Sequence, residues 1–398
     1  MIPELRRAFN ARFSDECYAR VCAALDEAAG HPIPFRICET PLFLPEATAR
    51  ELARASREIL EQVSTPEYVA ASARAVPEGS SVPGFSGPPV FLQFDFALVR
   101  AEDGTIVPRL IELQGFPSLY GFQSLLSRVY HRELDLPEGL TPYFAGLSEA
   151  SYNAMLRSVL IGDGDPTETV LLEIDPQSQK TLVDFVWTEE ITGVATVDVK
   201  DVIVRGDRAY YRDARHGGRE TPIRRIYNRA IFDEAERLGL DLPPVFRQPL
   251  DVVWVGHPDW YFRISKFSLP FLKSEYSPPC GFVSDFAEPP ADLESYVLKP
   301  LRSFAGLGVE LHPTRERLAQ LDRPEDYILQ KKVEYAGIVE TLDVPARCEV
   351  RMMYLWLPEG PRLVNNLVRM TKGAMVGVDF NKDRTWVGAS IALHPPVE

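Results

Sequence analysis

Residues 91–121, FLQFDFALVRAEDGTIVPRLIELQGFPSLYG, constrain this chain most, because two apolar runs flank an acidic turn and carry Asp95, Glu112 and Gln114. Ala101-Glu102-Asp103-Gly104 is a loop signal between them, so the runs pair most simply as a hairpin with a long loop. Side chains alternate faces along a strand, which turns Glu112 and Gln114 to one side and lets Asp95 join them from the partner strand. Two carboxylates set in apolar sequence are costly unless a cation or a hydrogen-bond network offsets them. Magnesium, which takes oxygen ligands and completes its shell with water and phosphate, would do so. A solvated polar face on an edge hairpin is the simpler reading of these three residues by themselves.

The rest of the chain has to decide between the two. Its 398 residues suffice for two or three packed units with a sizeable core. Hydrophobic content of 45% and charged content of 25% match a soluble globular protein. A formal net charge of −14 argues against a nucleic-acid or anionic-membrane partner and leaves room for a local basic cleft. Cys17, Cys22, Cys38, Cys280 and Cys348 are odd in number and form no CxxC or Cys/His cluster, so neither a disulfide framework nor a zinc site is suggested. The first residues lack the apolar core of a signal peptide and no run is long enough to span a bilayer, so a reducing cytoplasm is the expected location.

Residues 4–28 read as helical, with Leu5, Phe9, Phe13, Cys17, Val21 and Leu25 recurring every four positions and Ser14 placed to cap a second helix. Pro45 opens a cleaner helix to Val63, with Leu52, Ile59, Leu60 and Val63 on one side. Residues 76–90, rich in Gly, Pro and Ser, form a loop into the hairpin. After it, GFPSLYGFQSLLSRVY leaves a strand and starts a helix, either a simple turn or a helix start whose N–H groups hold an anion.

From Thr169 onward, strand-like VLLEID, GVATVDV, DVIVRGDRAYY and IRRIYNR alternate with helical stretches, which suggests a small α/β unit. Arg224, Arg225 and Arg229 around Tyr227 either grip a carboxylate or form surface ion pairs. Further on, Lys266 stands beside an apolar run. VLKPLRSFAGLGV gives a strand ending in Lys299 and a loop with Gly306 and Gly308, a cation and a cover for phosphates. It is not a Walker loop, since the Lys precedes the glycines. YILQKKV reads as a strand, and EVRMMYLWL, PRLVNNLVRMTKGAM and WVGASIALHPP as later strand-like runs, one of them ending in Arg369 and Lys372.

In this order, from Phe91 to the end, the motifs resemble the circularly permuted ATP-grasp ligases, the family of eukaryotic glutathione synthetase and the synthetase half of glutathionylspermidine synthase. The resemblance implies an α/β (α+β) chain with an ATP-grasp-like fold. Its parts would be a helical N-terminal segment at 1–80, a metal-binding part at 81–165, an inserted small α/β substrate domain at 166–250, and a nucleotide-binding part with a lid at 251–398. FDF and IELQ are similar to the family's acid and Glu-x-Asn, which implies Mg²⁺ at Asp95, Glu112 and Gln114. ISKF and VLKP resemble its two nucleotide lysines, which implies ATP at Lys266 and Lys299, with Gly306 and Gly308 in the lid. YILQKKVE resembles the adenine hinge at Gln330, Lys332 and Val333. VRMTK implies Arg369 as the catalytic contact to substrate or phosphate and Lys372 on the nucleotide. LLEIDPQSQK and IYNRAIF resemble substrate motifs, which nominates Glu173, Asp175, Gln179 and Arg229.

The implied activity is an ATP-dependent carboxylate–amine ligase working through an acyl phosphate on a small-molecule carboxylate and amine, with homo-oligomerisation left open. The alternative is a nucleotide-binding regulatory or partner-binding module that has lost catalysis. It is motivated by Gln93 where the family has Arg, and by Ser303 where glutathione synthetase has a metal-binding Glu. Gln114 in place of Asn keeps an amide oxygen on a longer arm, and Arg351 or Arg369 is the candidate for the contact Gln93 cannot make.

Overall fold

The expected hairpin forms and is built into a larger sheet. In the computed structural model, which describes residues 1–232, 235, 239, 241, 243–303, 307–381 and 383–397, strand Phe91–Arg100 pairs antiparallel with Ile106–Gln114. On its other side it pairs with Arg347–Leu357, and the sheet continues through Gly360–Thr371 to Gly388–Ser390. The C-terminal motifs therefore lie beside the hairpin. Leu92, Phe94, Phe96 and Leu98 face a core shared with Leu52, Ile59 and Leu60 of helix Glu46–Val63, while Gln93 and Asp95 alternate to the opposite face.

The second hairpin strand cannot keep simple alternation. Leu113 lies opposite Phe94 and Leu110 opposite Phe96, three positions against two, and a bulge at Ile111 takes up the difference. Both leucines thereby stay in the core, and Glu112 and Gln114 sit opposite Asp95 and Gln93.

Upstream, the expected helices appear as Pro3–Arg12 and Asp15–Ala29, the second capped by the Ser14 hydroxyl accepting from Cys17 N at 3.2 Å. The middle of the chain holds a parallel sheet ordered Val253–Val255, Arg225–Asn228, Thr169–Glu173, Ala195–Asp198, with helix Leu182–Thr192 as the crossover between the last two. The run DVIVRGDRAYY departs from the alternating pattern read in the sequence. It folds as two strands, Ile203–Arg205 and Arg208–Asp213, of a separate antiparallel sheet completed by Arg219–Ile223. The reason is the two-residue turn Gly206-Asp207, where Gly206 takes φ of 62°. A third small sheet, Cys280–Phe282, Tyr327–Lys331 and Tyr296–Pro300, carries the Lys299 strand. Among the described residues no helix is long and apolar enough to cross a membrane.

Helices Tyr120–Glu133 and Leu182–Thr192 cross closely at Gly121, where a Cβ would stand 2.5 Å from Thr188 Oγ1 and 3.0 Å from the Asp184 carbonyl oxygen. Gly121→Ala should therefore cost about 1–3 kcal/mol in a urea titration. Adding Thr188→Ala should recover part of that loss, and a Gly121→Ala protein as stable as wild type would contradict the packing.

Candidate functional site

Sheet register builds a compact cluster of charges. Asp95 lies directly between Glu112 on one neighbouring strand and Arg351 on the other, and Glu349 is opposite Arg369 one rung along. Asp95 is 1% exposed. Its Oδ1 accepts from Arg351 Nε at 2.5 Å, and its Oδ2 accepts from Arg351 Nη2 and Arg369 Nη2, each at 2.6 Å. Arg369 also pairs with Glu349, whose second oxygen accepts from the Tyr335 hydroxyl at 2.8 Å. Glu112 Oε1 stands 3.9 Å from Arg351 Nη2 and 3.7 Å from Arg369 Nη2. Arg351 Nη1 donates to Gln93 Oε1 at 3.1 Å, and the Gln114 side-chain amide lies 2.8 and 2.9 Å from the terminal nitrogens of the same guanidinium and 2.7 Å from that Gln93 oxygen. Behind the bulge, Lys299 Nζ donates to the Ile111 carbonyl at 3.0 Å and to Gln330 Oε1 at 2.5 Å. Asp95, Glu112 and Glu349 are thus matched by Arg351, Arg369 and Lys299.

The protonation states follow from this pairing. Burial by itself would lift the Asp95 carboxyl, but Arg351 and Arg369 outweigh it and hold the group below the usual carboxylate range. Burial pushes Glu349 up in spite of Arg369, and Asp95 and Glu112 add to the rise. Burial lowers Lys299, with Glu112 opposing. Burial also works against the charge on Arg369, but Glu349, Asp95 and Glu112 win and raise it.

Above the cluster lies a cavity of about 1140 Å³, lined by Glu112, Gln114, Arg351 and Arg369 from the large sheet and by Lys266 and Ser303 across from them. Ser265 caps the short 3-10 helix Lys266–Phe271, and Lys266 Nζ donates to the carbonyl and hydroxyl of Ser303 at 2.6 and 2.8 Å. Phe116, Phe267 and Phe282 give the wall its apolar surface, while Arg36, Arg74 and Arg384 add positive charge.

Several nominated residues stand outside this lining. Lys299 and Gln330 are buried behind it, and the Gln330 amide donates to the Leu110 carbonyl at 3.3 Å. Strand Tyr327–Lys331 ends before Lys332, whose main-chain N–H donates to the Ser295 carbonyl at 2.8 Å, and neither Lys332 nor Val333 reaches the cavity. Lys372 pairs with Asp343 elsewhere. Gly308 takes φ of 70°, and a Cβ there would meet Pro300 Cγ at 3.0 Å, so Gly308 packs against the end of the Lys299 strand; Gly306 lies outside the described residues. Glu173 accepts from Ile174 N at 2.7 Å, Gln179 Nε2 donates to the Ile174 carbonyl at 2.8 Å, and Asp175 is exposed with φ of 42°. These three shape the turn after strand Thr169–Glu173 and do not line the cavity.

The helix start after the hairpin does hold an anion, and it is the protein's own. Asp184 accepts from Phe122 N at 2.9 Å and from Leu119 N at 3.2 Å. Arg229 is paired with that Asp184 and lies 5.0 Å from the Phe185 ring and 5.6 Å from the Phe116 ring. Arg225 donates to the Leu160 carbonyl at 2.9 Å, and Arg224 pairs with Asp251 at 3.3 Å. Glu349, Tyr335 and Asp184 escaped sequence reasoning. Glu349 and Arg351 alternate with Val350 and Met352 as Asp95 does with its phenylalanines, and that signal could have found Glu349.

The donor set does not suit a divalent cation held by Asp95, Glu112 and Gln114 together. A carboxylate oxygen offers two lone pairs, and Asp95 Oδ2 has given both to guanidiniums. Among the described residues no group of three or more His, Cys, Asp or Glu is arranged to hold a metal ion. Glu112, its side chain 31% exposed, is the carboxylate of the cluster that faces the cavity.

No protein-family model matches the chain, and no curated protein matches it in sequence. Among solved structures it is similar to a glutathione synthetase-like effector from Globodera pallida, in its apo form. The likeness has 10% identity and a TM-score of 0.56, and covers 98% of this chain and 99% of that one. It shows a mixed α/β (α+β) fold similar to that glutathione synthetase-like structure.

Asp95→Asn removes the carboxylate between two guanidiniums and should cost about 3–5 kcal/mol at neutral pH. Because the folded group is depressed, its contribution is present above the unfolded value of about 3.9 and is lost as pH falls through the folded value. Denaturant titrations of wild type and variant should keep a constant gap from pH 7 to pH 5 and converge below about pH 4. A gap unchanged in acid would show that Asp95 is not the titrating group.

Proposed function

We propose that this chain is an ATP-dependent carboxylate–amine ligase of the circularly permuted ATP-grasp kind, joining a small amino acid or peptide to an amine in the cavity beside Asp95. The observation that carries the reading is that Glu112, Gln114, Lys266 and Arg369, nominated from ordered motifs far apart in sequence, line one cavity. At about 1140 Å³ that space exceeds the usual ~300–1,000 Å³ of a single small-ligand pocket, as a nucleotide and a substrate together require.

In such a ligase the substrate carboxylate attacks the γ-phosphorus of ATP and ADP departs. The amine nitrogen then attacks the acyl phosphate, and phosphate leaves as the amide forms. Catalysis of this kind is positioning and charge stabilisation. Arg369, fixed by Glu349 and Asp95, presents a guanidinium that needs no reorganisation as charge builds on the transferring group. Lys266 supplies a second cation from the opposite wall. Magnesium, implied by the family resemblance, would be held by the nucleotide phosphates and not by Asp95, and would offset their charge.

The guanidiniums on Asp95 favour a second reading, a nucleotide-binding module without ligase activity. Measuring ADP and phosphate release with Mg-ATP and pooled amino acids, small peptides and polyamines separates the two. The ligase requires release that depends on both a carboxylate and an amine and falls about 100-fold or more in Arg369→Ala. Nucleotide binding without turnover supports the module, and no nucleotide binding removes both.

A further inference from the structure

We propose that Arg351 occupies the place of a divalent cation in this site, so that its guanidinium is the fixed positive charge with which a phosphate-bearing ligand is met without a metal ion bound by Asp95. Beyond the ligase reading, what surrounds Arg351 assigns it this place. All three of its nitrogens are engaged, and their partners are the side chains whose pattern suggests magnesium. Asp95 takes Nε and Nη2 as a two-pronged pair at 2.5 and 2.6 Å, and Glu112 approaches Nη2 at 3.9 Å. The Gln114 side-chain amide lies 2.8 and 2.9 Å from Nη1 and Nη2, and Gln93 Oε1 accepts from Nη1 at 3.1 Å. A planar fork of donors binds Asp95 with two prongs and Gln93 with a third while its charge faces Glu112, as no point charge on a lysine could.

Three further facts keep the guanidinium there. Arg351 is 6% exposed and projects from strand Arg347–Leu357, which is paired on both sides, so its base cannot retreat. The cluster is already balanced, with Asp95, Glu112 and Glu349 against Arg351, Arg369 and Lys299, so an added dication would bring two uncompensated charges into a buried site. Displacing the guanidinium would leave it desolvated with no carboxylate to face. Arg351 also lines the cavity, where its charge acts on an anion, while Arg369, whose bonds to Asp95 and Glu349 both run through Nη2, can donate to that anion as well.

The test is a titration of the intact protein with Mn²⁺, followed by electron paramagnetic resonance, in wild type, Arg351→Met, Asp95→Asn and Glu112→Gln. Wild type should show no saturable site that depends on Asp95 or Glu112. Removing the guanidinium charge should create one, about tenfold tighter or more than any binding to wild type, lost again on adding Glu112→Gln. A wild-type site abolished by Asp95→Asn or Glu112→Gln overturns the proposal, as does a folded Arg351→Met protein that takes up no Mn²⁺. Should Arg351→Met fail to fold by circular dichroism, the wild-type titration decides alone. A second arm measures ATP binding by calorimetry in EDTA and in Mg²⁺. Affinities within about threefold of each other support the proposal, and a Mg²⁺ requirement that disappears in Asp95→Asn overturns it. No ATP binding in either buffer defeats the ligase reading, and the Mn²⁺ arm then settles the role of Arg351.

Discussion

The buried pair between Asp95 and Arg351 is the constraint around which the large sheet is organised. It ties the hairpin to a strand far along the chain, and it does so with Asp95 sealed from water and Arg351 nearly so. Removing a carboxylate and a guanidinium from water is expensive, and the expense is tolerated only when every remaining donor and acceptor finds a partner. Here the demand spreads outward. Arg369 takes the second lone pair of Asp95, Glu349 answers Arg369, and Tyr335 answers Glu349. The result is a charge-balanced lattice, with Arg369 Nε left unpartnered, on a face that would otherwise be either apolar or solvated.

That lattice decides what the cavity presents. Its floor is made of guanidiniums held at fixed angles, with Glu112 as the exposed carboxylate of the cluster; other walls contribute Lys266 and, against it, Asp285, Glu325, Asp326 and Asp383. A surface of this kind suits anions with several oxygens, because the fork of a guanidinium matches them in pairs. The net negative charge of the whole chain is no obstacle, since field strength in a low-dielectric cleft is set by the groups that line it.

Much of this was legible in the residues. Alternation in FLQFDFALV gave the hairpin and the common face of Asp95, Glu112 and Gln114, and Ser14 and Pro45 marked helix starts where they occur. The bulge was not read, although LIEL breaks a two-residue period, because only the demand of Leu110 and Leu113 for one core reveals it. The carboxylate at the start of helix Tyr120–Glu133 was unreadable for a different reason. Asp184 comes from another helix, and nothing near Phe122 in sequence points to it. Arg229 was nominated for a ligand by its residue type, while its actual partner was the same distant aspartate.

The bulge at Ile111 has a mechanical side. Its displaced carbonyl holds Lys299, and the neighbouring Leu110 carbonyl holds the Gln330 amide, so two adjacent strands of the small sheet are stitched to consecutive residues of the large one. A slip of one residue, about 3.3 Å along a strand, would unhook both stitches together. The irregular residue thus works as a tooth that indexes the two sheets, and the width of the cavity between them is set at that end by a register error in a single strand.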